Sequence, residues 1–148
     1  MRQAQKIARL EQRINQLEKE AGLFDLFNPI KKHLVAVTKG VAKDLKRYKI
    51  INEAGTPTYE KDYKFHEVQM SVVGSGGIPV RLKVVFDEIH SSIQVILFRP
   101  RQRGYDRTVA YVHDFVPGNE DSTRAFVYAV RGELTDRKNR NRILKAIQ

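Results

Sequence analysis

Four arginines surround one tyrosine in the short stretch that is the strongest candidate for binding chemistry in this sequence. They are Arg99, Arg101, Arg103 and Arg107 around Tyr105, with Gly104 beside the ring. Proteins that bind single-stranded nucleic acid place an aromatic ring against a base while guanidinium groups hold phosphates. The stretch therefore predicts such a contact. A solvated hairpin tip that carries arginines is the alternative, and the sequence does not separate the two.

The histidines give no indication of a metal site or of a catalytic dyad. None has a paired ligand spacing such as H-x-x-x-H; they are His33, His66, His90 and His113. The run 87–90 has residue types for binding a cation or transferring a proton, but Asp is common in turns for backbone reasons, which favours a turn. We expect no enzyme, no metal and no cofactor. One alternative, a metal-independent ribonuclease built on the Arg101–Tyr105 loop, lacks an evident general base.

The overall charge points to polyanionic partners. The chain has 148 residues, 27 lysines and arginines, 17 aspartates and glutamates, and a net charge of +10. Its length fits one domain with an appended helix. Its 41% apolar content supports a packed core. The absence of cysteine excludes disulfides, thiol nucleophiles and cysteine-ligated metals.

No segment of the sequence predicts a membrane span or a secretory leader. No apolar run approaches the roughly 18 residues that a span requires. Residues 1–13 are charged and amphipathic, unlike the apolar core of a signal peptide. We therefore expect no membrane partner, and a location in the cytoplasm or within a virion.

The N-terminal residues 1–22 predict a coiled coil that joins copies of the chain. Its heptad seam places isoleucine at position a and leucine at position d, the combination that favours parallel two-stranded coils. The seam residues are Ile7, Leu10, Ile14 and Leu17. In a parallel pair, the flanking charges of residues 6 and 11 and of residues 13 and 18 attract. The alternative is an amphipathic helix that packs on its own domain.

Residues 23–148 predict a single α+β domain whose first helix, over 29–50, carries a stripe of lysines. Asn28 followed by Pro29 is a typical helix start. The stripe lies opposite the apolar face and consists of Lys32, Lys39, Lys43 and Lys46. Asp44 is the only acid in this helix, so the lysines lack the mixed charges of an ordinary surface helix. The stripe predicts contact with a phosphate backbone; a solubilising face is the alternative.

After a predicted loop over 52–63, the hydrophobic period changes to two. The alternation predicts a four-stranded antiparallel sheet over 64–116, with a hairpin turn at Gly74–Gly77 and a last strand at Thr108–Phe115. Helices over 121–147 close the domain, with a break and a fresh cap near Asp136. The last of them carries the basic residues Arg137, Lys138 and Arg140. A four-stranded antiparallel sheet closed by a C-terminal helix resembles, in topology alone, single-stranded nucleic-acid binders of the Whirly and Pur type.

Together these patterns predict an oligomeric basic protein that binds DNA or RNA through phosphate contacts, with little sequence specificity and a slight preference for single strands. A parallel coiled coil would add the weak basic patches of several subunits by avidity. Two alternatives remain open. One is a structural or assembly subunit of a phage or another large particle. The other is an inhibitor that docks onto the acidic or nucleic-acid-binding surface of a protein partner.

Overall fold

The protein has an α+β fold in the residues that its structure, a computed structural model, describes: Lys6, Arg9, 28–100 and 106–148. These residues form three complete helices and one antiparallel sheet of six strands. In chain order the elements are α1 Pro29–Arg47, β1 Ile51–Ala54, β2 Thr58–Asp62, β3 Phe65–Gly74, β4 Pro79–Asp87, β5 Ser92–Phe98, β6 Asp106–Val112, α2 Glu120–Thr135 and α3 Arg137–Ile147. The predicted coiled coil, with Ile7, Leu10, Ile14 and Leu17, lies outside the described residues, among which Lys6 and Arg9 are helical and exposed.

Helix α1 begins where the sequence predicts and ends earlier. The side chain of Asn28 accepts hydrogen bonds from the backbone N–H groups of Ile30 and Lys31, which caps the first turn. The predicted end at residue 50 is wrong, because Lys49 has a φ of 61° in the left-handed region and breaks the helical repeat. The backbone N–H of Ile50 then donates to the carbonyl of Leu45, which closes the helix end.

The prediction of four strands is wrong, because the segment predicted as a loop over 52–63 contains β2 and all of β1 except its first residue. Both pair with β3: β1 with its C-terminal part and β2 with its N-terminal part. They form one interrupted edge strand. Pro57, which has no N–H to donate, and Gly55 lie in the gap. Most of this edge is solvent-exposed, so its sequence lacks the apolar alternation that marks the inner strands.

The three helices cover one face of the sheet. The sheet order is β1 and β2 beside β3, then β4, β5 and β6. Alternate residues of β3, β4 and β5 face the helices and are almost fully buried: Val68, Met70, Val72, Val80, Leu82, Val84, Phe86, Ile93, Val95 and Leu97. The intervening residues on the other face are half-buried or exposed, apart from the buried Ser92 at the start of β5. The described helices therefore leave one face of the sheet open.

The last strand ends earlier than predicted. It stops at Val112 instead of Phe115, and the sheet spans 51–112 instead of 64–116. Phe115 leaves the strand because Asp114 takes a φ of 56°. Its ring then packs edge-on against Phe86 and Phe126, at centroid distances of 5.8 Å each. This aromatic contact packs α2 against the core.

The C-terminal helices form as predicted, with a break between them. The side chain of Asn119 caps α2 at Ser122. Asp136 separates the helices and caps α3 by accepting from the backbone N–H groups of Lys138 and Asn139. The glycine-rich hairpin turn also forms as predicted, with Gly77 at a φ of 80°.

Candidate nucleic-acid interface

Three distant parts of the chain meet at one end of the sheet. The backbone N–H of Ser75, in the β3–β4 turn, donates to the carbonyl of Ile50 just after α1, at 3.0 Å. The side chain of Gln148, after α3, donates to Ser75 Oγ at 3.4 Å. A guanidinium nitrogen of Arg99, after β5, donates to the Gln148 carbonyl at 3.3 Å. The C-terminal end of α1, the β5–β6 connection and α3 are therefore neighbours.

We call this end of the molecule the basic end, because each of these parts brings positive charge to it. Its described members are Lys43, Lys46, Arg47, Lys49, Arg99, Arg107, Arg131, Arg137, Lys138, Arg140, Arg142 and Lys145. The acids nearby are fewer, and two are engaged: Asp44 pairs with Arg131 and Asp136 caps α3. Lysine and arginine at this density create a positive potential that attracts phosphate.

The opposite end of the sheet has the reverse balance. Its acids are Glu60, Asp62, Glu67, Asp87, Glu88, Asp114, Glu120 and Asp121. The bases among them are fewer, and several form ion pairs there, such as Lys64 with Glu88 and Arg124 with Glu120. The charge of the described residues is therefore polarised along the strand direction.

The lysine stripe of α1 is exposed, but it runs away from the basic end. Lys43 and Lys46 belong to the basic end, whereas Lys39 lies near the middle of the helix and Lys32 near its start. Asp44 is buried and faces α2, so it leaves the stripe free of negative charge. The structure thus places half of the predicted stripe with the other basic segments.

The arginine loop contributes mainly through its described flanks. Arg101, Arg103 and Tyr105 lie outside the described residues. Arg99 is half-buried and is held by the chain's last residues, as described above. Arg107 pairs in register with Leu97 on the helix-facing side, and its buried Nε has no hydrogen-bond partner among the described residues. Both flanks lie at the basic end, but neither is a freely exposed cation.

Of the three predicted basic residues of α3, two are exposed and one is half-buried. Arg137 and Lys138 are exposed in the first turn of the helix. Arg140 is half-buried, and its buried Nε lacks a hydrogen-bond partner among the described residues. Arg142 and Lys145 belong to the same basic C-terminal segment of the sequence but were not predicted as binding residues; both are exposed on α3, whose buried side is defined by Ile143 and Ile147.

A second group that the sequence analysis missed lies on the open face of the sheet. Lys83 Nζ is 5.7 Å from the centroid of the Phe98 ring, a cation–π distance. Arg81 is the register partner of Phe98, which precedes the arginine loop by one residue. The alternation of β4 could have shown both bases, because it places them on the wet face. Arg81 extends positive charge from the basic end onto the sheet, whereas the charge of Lys83 is paired with Glu67 at 3.8 Å.

Among the described residues, no cluster of histidine, aspartate and glutamate side chains is suited to a metal ion. The Asp87 carboxylate accepts from the backbone N–H groups of Ile89 and His90 and lies 2.6 Å from His90 Nδ1, which is the predicted turn. The hydrogen bond with the His90 side chain is the main cause that lowers the pKa of Asp87.

His66 is the exception in burial, with 1% of its surface exposed. Its Nδ1 lies 2.7 Å from the Tyr59 hydroxyl, and its Nε2 lies 3.1 Å from a Glu88 carboxylate oxygen, though poorly aligned for a hydrogen bond. The interaction with His66 is the largest cause that lowers the pKa of Glu88. We call these three residues the Tyr59–His66–Glu88 cluster. It ties edge strand β2 to β3 and to the β4–β5 turn.

None of the described helices is long and apolar enough to cross a membrane. A comparison of the chain with models of protein families, with curated proteins and with solved structures found no match.

Proposed function

We propose that the protein binds nucleic acid through phosphate contacts at the basic end, with little sequence specificity. The observation that carries this proposal is the meeting of the α1 C-terminus, the β5–β6 connection and α3 at one end of the sheet. Bases that are far apart in the sequence are thereby brought to the same end of the sheet, and most acids among the described residues lie at the opposite end. The protein acts as a binding protein without catalysis or cofactor, in the cytoplasm or within a virion.

The side chains at the basic end suit the phosphate backbone better than base edges. The exposed lysines are flexible point charges, which attract phosphates without fixing a register. Sequence is read by hydrogen bonds to base edges, which need side chains held in one position. Binding of this kind releases counterions and weakens steeply as salt increases. We therefore expect strong salt dependence and a narrow range of affinities across sequences.

Association of subunits through residues 1–22 completes the proposal. A single basic end offers a limited number of phosphate contacts. A parallel oligomer joined through Ile7, Leu10, Ile14 and Leu17 would present several basic ends to one polymer. The second contact then forms at a high effective concentration, so avidity raises the overall affinity without new contacts.

Fluorescence anisotropy of labelled single-stranded DNA, duplex DNA and RNA over a range of salt tests the proposal. We expect micromolar or tighter binding with a steep negative dependence of log affinity on log salt. The variant Lys46→Glu, at the basic end, should weaken binding severalfold at low salt. Lys61→Glu is the matched control, since Lys61 is an exposed lysine at the opposite end. Equal effects of the two variants, or no binding at low salt, would refute the proposal.

A second candidate function is an assembly subunit of a phage or another large particle, and the open face of the sheet favours it. This face carries the half-buried apolar residues Val73, Val85, Ile96 and Phe98, and the exposed Tyr111. The described helices all pack on the other side. Such a face is suited to packing against a neighbouring subunit. Sedimentation velocity separates the two functions: a binding protein should form a discrete small oligomer, whereas an assembly subunit should polymerise with concentration.

A further inference from the structure

A groove lies between helix α1 and the interrupted edge strand, away from the basic end. Its volume is about 480 Å³, within the range of small-molecule sites. One wall is α1 and the other is the gap between β1 and β2, and the lining residues are Lys31, Lys32, Val35, Ala36, Lys39, Thr56 and Pro57. The edge strand is broken at 55–57, so the described strands leave this flank of α1 uncovered.

The chemistry of the groove is that of a cationic rim around an apolar floor. Val35 and Pro57 are half-buried and Ala36 is exposed, so the floor can accept a flat apolar surface. Three lysines stand around it, and none of the lining residues is an acid. Along α1, Lys32 and Lys39 are seven residues apart and bracket the floor at about 10 Å. The occupant that matches is a planar apolar group with negative charges on either side of it.

We propose that the groove takes one base of a single-stranded nucleic acid, with the flanking phosphates on Lys32 and Lys39. This inference rests on the proposed function. Continuity of charge selects a nucleic-acid strand over an acidic peptide: Lys39 leads along α1 to Lys43 and Lys46, which belong to the basic end. A strand anchored at the basic end follows this stripe to the groove.

The groove makes the protein selective for single strands. A stacked base in a duplex is not available to a groove on a protein surface, whereas an unpaired base turns out of the strand without breaking a base pair. Contact of the base face with Val35, Ala36 and Pro57 is independent of base identity, because every base has such a face. The preference is therefore for strand type and not for sequence.

Filling the groove without changing charge tests the inference. The variant Ala36→Trp occupies the floor from α1, and Thr56→Trp occupies it from the opposite wall. Both positions are exposed, so neither substitution disturbs the core. Ala125→Trp, at an exposed position of α2, is the matched control. The probes are a fluorescein-labelled oligothymidylate and a duplex DNA of the same length, titrated at one low salt concentration.

We expect wild-type protein to bind the oligothymidylate more tightly than the duplex. Each groove variant should weaken oligothymidylate binding about tenfold, the usual scale of one base contact, and leave duplex binding within about twofold. Unchanged oligothymidylate binding in both groove variants would overturn the inference. An acidic protein segment would then be the occupant that the lysines of the groove favour. An equal loss for both probes would overturn it as well. If wild-type protein bound neither probe, the proposed function itself would be refuted.

Discussion

Arg131 Nε donates to a carboxylate oxygen of Asp44 at 3.2 Å, and this contact links helix α2 to helix α1. The Asp44 side chain is 11% exposed and the Arg131 side chain 50% exposed. Asp44 is the only acid in α1, and the pairing directs it to the inter-helix side. The lysine face of α1 therefore keeps its full positive charge.

Substitution of Asp44 should separate the stability of the fold from its affinity for polyanions. Asp44→Ala removes the acceptor for Arg131 and should lower the free energy of unfolding by about 1 kcal/mol, since Arg131 is half exposed and can turn to water. The same variant adds positive charge at the basic end, so binding of DNA at low salt should become tighter. Urea unfolding and anisotropy measure the two effects.

Asp121→Ala serves as the control for that experiment. Asp121 is an exposed acid in α2, with its side chain 93% exposed and paired only loosely with Arg124. Its removal adds the same charge at the opposite end of the molecule, and stability should change by less than about 0.5 kcal/mol. If Asp44→Ala left both stability and affinity unchanged, the assigned role of the Asp44–Arg131 pair would be wrong.

The Tyr59–His66–Glu88 cluster should stabilise the attachment of the edge strand to β3. Tyr59→Phe removes the hydroxyl that contacts the buried Nδ1 of His66 and leaves that nitrogen without its partner. A buried polar atom left unpaired costs about 1–2 kcal/mol of stability, measurable by urea unfolding. Tyr63→Phe is the matched control, because Tyr63 is 74% exposed in the following turn and should be neutral. Equal stability of the two variants would show that the Tyr59–His66–Glu88 cluster contributes nothing to the free energy of unfolding.

Local patterns predicted the elements that depend on neighbours in the sequence. The Asn28 cap, the break at Asp136 and the alternation of β3 and β4 all follow from residues within a few positions. The sequence did not predict the interrupted edge strand, because its residues are mostly exposed and show no apolar alternation. Its strand structure depends on backbone hydrogen bonds to β3, which is distant from β1 in the sequence.

The candidate site depended on contacts that no local pattern contains. Gln148 contacts Ser75 across 73 positions of the sequence, and Arg99 contacts Gln148 across 49. These contacts decide that α3 and the β5–β6 connection are neighbours. The sequence identified most of the basic residues, but their meeting at one end, and the groove beside the strand break, required the tertiary structure.

His33 should make stability depend on pH near neutrality. It stacks on Phe115, and its Nε2 lies 3.2 Å from Thr123 Oγ. Because the Thr123 hydroxyl donates to the carbonyl of Asn119, the neutral His33 ring must be the donor in this pair. Burial lowers the pKa of His33, so the unfolded chain binds more protons than the folded protein once pH falls below about 6.5.

The free energy of unfolding should therefore decrease as pH falls from about 7.5 to about 5.5, on either side of the ordinary histidine pKa. His33→Gln removes this contribution, so its loss of stability relative to wild type should be larger at the higher pH. His113→Gln controls for the loss of an imidazole, because His113 is exposed beside Tyr111. A gap between wild type and His33→Gln that widens on acidification would contradict the burial argument.

The salt dependence of binding should report how many contacts the C-terminal helix makes. Arg137 and Lys138 are exposed in the first turn of α3, and they are neighbours at the basic end. Each phosphate contact contributes about 0.7 to the slope of log affinity against log salt for single strands and about 0.9 for duplex DNA. The double variant Arg137→Gln/Lys138→Gln should reduce the slope by nearly twice the value for one phosphate contact. It should weaken binding to a similar degree for nucleic acids of unrelated sequence. Lys61→Gln/Arg124→Gln removes the same charge from the opposite end and should keep the wild-type slope. If both double variants lowered the slope equally, the polyanion would be sensing net charge alone, and the basic end would not be its binding surface.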